Sequence, residues 1–285
     1  MATQRSRRLL LALTPPLVAA YGIHYGLSTL EARYPALPAN DSTCSFELRT
    51  PTSPGTQHSP HIDIYSARIP VRYLLRPEQS EPDAVALTPD FKTTVNLPRA
   101  WAKAVLGSRI FRLEGSMFGL FANRVFEPGD IGNTPGEFGP IHTELRGKEG
   151  RSETKEEKRK LLHGALTVER PPSNDNPCGL LISWKMPDEP RLFFEKIARW
   201  GYLWRLMSGG RHELSVSESF NVPGREAEGP FVEVRFASAH DYEIVPDEGD
   251  ISRQKTIPAF PARLHRGYAM FILDQAVKEL SKANQ

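Results

Sequence analysis

The sequence predicts an α+β domain in which a curved antiparallel sheet packs on a long C-terminal helix. Three observations carry this. Several segments alternate apolar and polar residues with the two-residue period of half-buried strands, clearest at 211–220 and 231–244. Ala262 to Leu280 instead carries its apolar residues at helical spacing, with Leu264, Tyr268, Phe271 and Ile272 on one face and Leu273, Ala276, Val277 and Leu280 widening it. Finally, 25 prolines in 285 residues demand long loops and argue against a helical bundle.

Taken in order, residues 1–30 read as an N-terminal membrane anchor or signal. Arg5, Arg7 and Arg8 precede a mainly apolar run, residues 9–27, just long enough to span a bilayer, although Pro15, Pro16 and His24 interrupt it. Three fates are compatible with it: a single-pass signal-anchor, a signal peptide cleaved near Val18, Ala19 and Ala20, or a mitochondrial targeting segment. The secretory pathway is the expected location and the mitochondrion the alternative. Residues 31–60, rich in Pro, Ser and Thr, read as a linker. The remainder, 61–285, reads as one α+β domain with a charged insert near 122–160. Within that insert, Glu144 to Lys160 is expected to be a solvated loop or helix.

Within the domain, His61 to Tyr73 suits a first strand that Pro70 confines to a sheet edge or bend. Pro98 can open a helix, and Ala100 to Leu106 continue it. Arg109 to Phe121 fit a second helix, weakened by Gly115 and Gly119. Leu162 to Val168 and Leu180 to Met186 alternate as strands on either side of a turn-rich loop, and Asp188 to Arg199 fit a short helix.

The formal charge of +2 is concentrated at the N-terminus, leaving 32 basic and 33 acidic residues beyond residue 35. That near-neutral body offers no electrostatic footprint for nucleic acid. The two cysteines, Cys44 and Cys178, lack metal-ligand spacing and are paired or free according to compartment. There is no phosphate-binding glycine loop, no nucleophile elbow and no paired-histidine zinc motif, so neither a cofactor nor a metal is implied.

The order strand, two helices, several antiparallel strands, terminal helix resembles the START-like, or helix-grip, superfamily across about residues 61–281. The resemblance is one of element order. It implies a sheet wrapped around the last helix with an apolar cavity between them, as in lipid carriers, aromatase/cyclases and ring-modifying enzymes. A hot-dog-like fold is the alternative, although its helix lies early, between strands.

Two polar knots stand out: Trp200 to Glu213, which runs into a strand-like segment, and Ala239 to Glu243, which lies on the next one. Splitting those segments by parity puts His212, Leu214 and Val216 on one face, and Val234, Phe236, Ser238, His240 and Tyr242 on one face of the other. Pairing like faces places His212 opposite His240 and Arg211 opposite Asp241, with neighbouring registers setting Arg211 against Ala239 or Glu243. A histidine on an apolar face either caps a wet end of the core or serves as acid or base near neutrality. The candidate catalytic residues are therefore His212, His240 and Tyr242, and the candidate ligand-binding residues Trp184, Trp204 and Ser238. The expected function is to hold a hydrophobic small molecule, lipid or polyketide-like, at a membrane, with proton transfer or cyclisation open to it. The competing expectation is a non-catalytic membrane-associated scaffold; nothing identifies a protein partner.

Overall fold

The structure, a computed structural model, describes residues 4–75, 96–121, 138–146 and 152–284. It is α+β. After helices α1 (Gln4–Arg33) and α2 (Phe46–Arg49) come strand β1 (Gln57–Pro70) and helices α3 (Leu97–Leu106) and α4 (Arg109–Phe121). A hairpin, β2 (Ile141–Arg146) and β3 (Ser152–Glu157), precedes β4 (Lys160–Leu161), β5 (Leu166–Arg170) and β6 (Leu180–Lys185). Then follow α5 (Asp188–Arg199), β7 (Gly209–Val216), β8 (Phe231–Glu243) and α6 (Ala259–Lys282). The main sheet has six antiparallel strands in the order β1-β8-β7-β6-β5-β4, so the first strand lies beside the last. β1 is an edge strand ending at Pro70, as expected of a residue that cannot donate to the ladder.

One face of the sheet is covered by α3 and α6. Tyr65, Phe236, Leu214, Leu180 and Val168 meet Trp101, Val105, Met270 and Leu273 there in the main core. Asn96 caps α3 by accepting from Arg99 N at 2.8 Å, and the fully buried Trp101 donates Nε1 to Arg235 O at 2.9 Å.

The opposite face is covered by the stretch expected to be a linker. Composition reads residues 31–60 as loop, yet they are tied down along their length. Leu37 N donates to Ile64 O, Ser45 caps α2 while its own N–H reaches Glu213 Oε1 at 3.0 Å, and Cys44 and Leu48 pack on Ile64, Leu181 and Ala237. Beneath this strap Arg211 forms a two-pronged pair with Asp241, at 2.8 and 2.9 Å. Asp241 also accepts from Ser59 Oγ at 2.6 Å and Thr52 Oγ1 at 3.0 Å.

The β7–β8 register is shifted by two residues from the expected one. His212 pairs with Ser238 and Arg211 with Ala239. Like faces still meet, so parity holds. Arg211 is long enough to reach Asp241 along the diagonal, and the charge pair therefore did not require its members to be directly opposed.

Three further expectations change. α1 runs through the apolar stretch, but among the described residues no helix is long and apolar enough to cross a membrane. Prolines, glycines, tyrosines and His24 dilute the hydropathy of residues 9–27, so the single-pass membrane segment is not supported. The end of α1 docks on α6 instead: Arg33 and Tyr34 bond Asp274, Arg263 pairs with Glu31, and Leu27 sits where a side chain on Gly267 would intrude. This also explains why α6 buries Ala269, Met270, Leu273 and Ala276 while Leu264 is 37% exposed. The helix has two apolar faces, one toward the sheet and one toward α1. The charged run from Glu144 is hairpin β2–β3 where described, and residues 122–137 and 147–151 of the expected insert lie outside the described residues. Cys44 and Cys178 are free thiols.

Replacing Asp241 by Ala strands a buried guanidinium and should cost about 3–5 kcal/mol of unfolding free energy in urea titration, with Asp241→Asn milder. A loss below about 1 kcal/mol would show that the pair does not hold the strap to the sheet.

Candidate functional site

Antiparallel pairing lays the inner-face side chains out in rows. Leu180, Leu214, Phe236 and Tyr65 form an apolar row in the core. The next row is Ile182, His212, Ser238 and Asp63, and the one beyond is Trp184, Gly210, His240 and His61. The face thus turns from apolar to polar within two rows while still under the helix layer. Gly210 permits this: a Cβ there would lie 2.5 Å from Ala239 O and 2.9 Å from Trp184 Nε1, so the indole occupies the place of the missing side chain. Trp184 stacks on His212 with ring centroids 6.5 Å apart, and His212 leans on Phe236 at 5.5 Å.

From above, α6 contributes His265. Its Nε2 lies 2.7 Å from His240 Nε2, with the rings edge to face at 4.5 Å. Two neutral imidazoles make such a contact only if one donates and the other accepts, so the pair fixes complementary tautomers. His58 packs against Tyr242 in the following row, centroids 5.9 Å apart. Five of the chain's eight histidines, at 58, 61, 212, 240 and 265, are thereby gathered at one end of one sheet face. Among the described residues, no three His, Cys, Asp or Glu side chains converge as metal ligands.

Burial sets the protonation states. Desolvation, with His265 adding repulsion, pushes His212 down to about 3. Desolvation likewise pushes His240 to about 3, helped by His265, His212 and His61. His265 is also lowered by burial, and Asp63 is raised by burial against the opposing pull of Arg266 and His61. His212, His240 and His265 are thus uncharged imidazoles in low-dielectric surroundings at neutral pH. His212 is half-buried as a residue, while its Nδ1 is fully buried.

Besides both ring nitrogens of His58 in the outer row, three polar atoms around His212 meet no partner among the described residues: Trp184 Nε1, His212 Nδ1 and Ser238 Oγ. They belong to neighbouring positions, since His212 pairs with Ser238 and stacks on Trp184. Buried polar atoms are seldom left unpaired, and three together mark a place where something other than protein completes the bonding.

Of the residues anticipated from the sequence, Trp184, His212, Ser238 and His240 come together here. Tyr242 lies one row further out, its hydroxyl accepting from Ile257 N at 3.4 Å. Trp204 is elsewhere, 41% exposed and set edge-on against Tyr202 in the loop after α5. Sequence reasoning missed His265, His58 and Asp63. His265 falls on the same helical stripe as Ala269, Ile272 and Ala276, a signal that was available but overshadowed by the stripe through Leu264 and Phe271.

No protein-family model, curated protein or solved structure matches the chain. The chemistry of the site rests on its geometry.

A histidine whose pKa is lower folded than unfolded binds protons more readily when unfolded. For His212 the stabilisation is complete above about pH 6.5 and is lost as pH falls toward 3. Each such group contributes a slope of up to about 1.4 kcal/mol per pH unit. Urea titrations from neutral pH downward should show this slope, and His212→Gln should reduce it by about one histidine's share. An unchanged slope would place His212 in contact with solvent.

Proposed function

We propose that this chain binds an uncharged, mainly apolar small molecule between the sheet and α6, and that the molecule presents an oxygen to the polar rows. The observation that carries the proposal is that the unpaired Trp184 Nε1, His212 Nδ1 and Ser238 Oγ belong to adjacent residues beside an apolar row. An indole N–H only donates, so the complementary atom is an acceptor such as a carbonyl, hydroxyl or ether oxygen. Ser238 Oγ and His212 Nδ1 can each donate or accept, which admits a hydroxyl as well. Neutral imidazoles supply no charge to pair with an anion, and the dry surroundings favour an uncharged guest.

Element order supports a helix-grip-like reading of the fold. The first strand pairs with the last, the intervening strands follow in descending order, and the C-terminal helix lies over the sheet. This arrangement suits a ligand held between sheet and helix.

The lowered imidazole pKa favours binding over proton transfer. A general base works best with a pKa near the operating pH, and a group near 3 is a weak one. His212 therefore serves better as a hydrogen-bonding wall than as a base, and the His240–His265 pair as a rigid support behind it.

Solvent extraction of the purified full chain, followed by mass spectrometry, should release a bound oxygen-bearing apolar compound. Trp184→Phe keeps the ring and deletes the donor, and should weaken rebinding by about tenfold, the worth of one hydrogen bond in a dry site. If nothing is extracted and no lipid or aromatic carbonyl compound binds, the proposal fails.

A further inference from the structure

We infer that α5 and the loop after it form a docking surface for an anionic lipid bilayer. α5 is amphipathic in sequence, yet Ala198 is its one buried residue. Phe194 and Ile197 are half-buried, but Leu192 (51% exposed) and Phe193 (59%) point outward, and the exposed run continues into the loop with Trp200 at 75% and Leu203 at 73%. Isolated exposed apolar residues are ordinary, whereas a cluster of large ones on a helix and its adjoining loop marks an interaction surface.

The charges indicate the partner. Arg191 is satisfied within the helix by Asp188 at 2.9 Å and Glu195 at 2.6 Å. Lys196 and Arg199, beside the apolar cluster, meet no carboxylate among the described residues, and Lys196 lies over the Trp200 ring at 5.4 Å. Basic residues in a last turn also complement the helix dipole, but that does not account for an exposed Trp and Leu immediately after it. Trp, Phe and Leu flanked by Lys and Arg are the composition of a helix that lies in a membrane interface, its apolar face among the acyl chains and its cations among anionic headgroups. The position is apt, since α5 follows directly on the strand carrying Trp184 and the loop leads into the strand carrying Gly210 and His212. The inference holds whether or not the inner site binds a ligand.

The test is flotation of the full chain with vesicles of phosphatidylcholine alone or mixed with phosphatidylserine. Binding is expected to the mixed vesicles, weakening with salt. The double substitution Trp200→Ala with Leu203→Ala should lower the partition coefficient by at least about tenfold, and Lys196→Glu with Arg199→Glu should abolish the preference for phosphatidylserine. Quenching of wild-type tryptophan fluorescence by brominated lipid provides a reading independent of any variant, and is expected on binding. Failure of the full chain to float with either vesicle overturns the inference. So does wild-type flotation by both variants, which would place attachment elsewhere, such as the basic N-terminus. Loss of a dimer in the variants with vesicle binding unchanged would assign the surface to a second copy of the chain, and also overturns it.

Discussion

The buried pair between Arg211 and Asp241 is the constraint on which the other features depend. Both residues are almost fully buried, on neighbouring central strands, and their charges are matched in a two-pronged geometry with Ser59 and Thr52 completing the carboxylate. A pair of this kind adds little net stability over an apolar substitute, but it penalises any arrangement that separates its members. It therefore acts as a specificity device, selecting a β7–β8 register in which Arg211 reaches Asp241. Because strand side chains alternate, placing Arg211 and Asp241 on the outer face sends His212 and His240 to the inner one. The same pair anchors the strap, through Leu48 O and Thr52, so the outer face is closed by the interaction that opens the inner one to polar side chains.

Much of the fold was legible because it rests on local periodicity. The two-residue alternation at 211–220 and 231–244 identified β7 and β8 and the face each side chain occupies, and helical spacing identified α3, α4, α5 and α6 within a few residues. What was not legible depended on partners distant in sequence. The strap resembles a linker because Pro, Ser and Thr are what loops contain, and composition cannot reveal that Ser45 caps a helix while donating to Glu213. Glu213 and Asp241, which alternation places on the outer face, are buried for the same reason. The register differs by two residues because direct opposition is the simplest reading of a charge pair, whereas the long arginine reaches diagonally.

The site was half legible. Parity brought Trp184, His212, Ser238 and His240 to one face, but His265 comes from a helix whose orientation depends on α1 as well as on the sheet. Gly210 is equally hard to interpret from sequence: its value lies in the indole that occupies its empty side. Once assembled, the patch joins two features that rarely coincide, desolvation strong enough to keep imidazoles neutral and several polar atoms left without partners. Stability alone does not call for that combination, since apolar residues in those rows would pack without leaving any donor unpaired. On the function proposed above, a guest that restores the missing hydrogen bonds would account for that cost.

The central claim, that the inner face buries uncharged imidazoles beneath α6, is tested most directly by long-range nitrogen–proton correlation spectra of the full chain labelled with 15N-histidine, recorded from neutral to acidic pH. His212 should remain neutral well below the ordinary imidazole range, and His240 and His265 should show the complementary tautomers their 2.7 Å contact requires. Titration of His212 near pH 6.5, as for a histidine in water, would contradict the account.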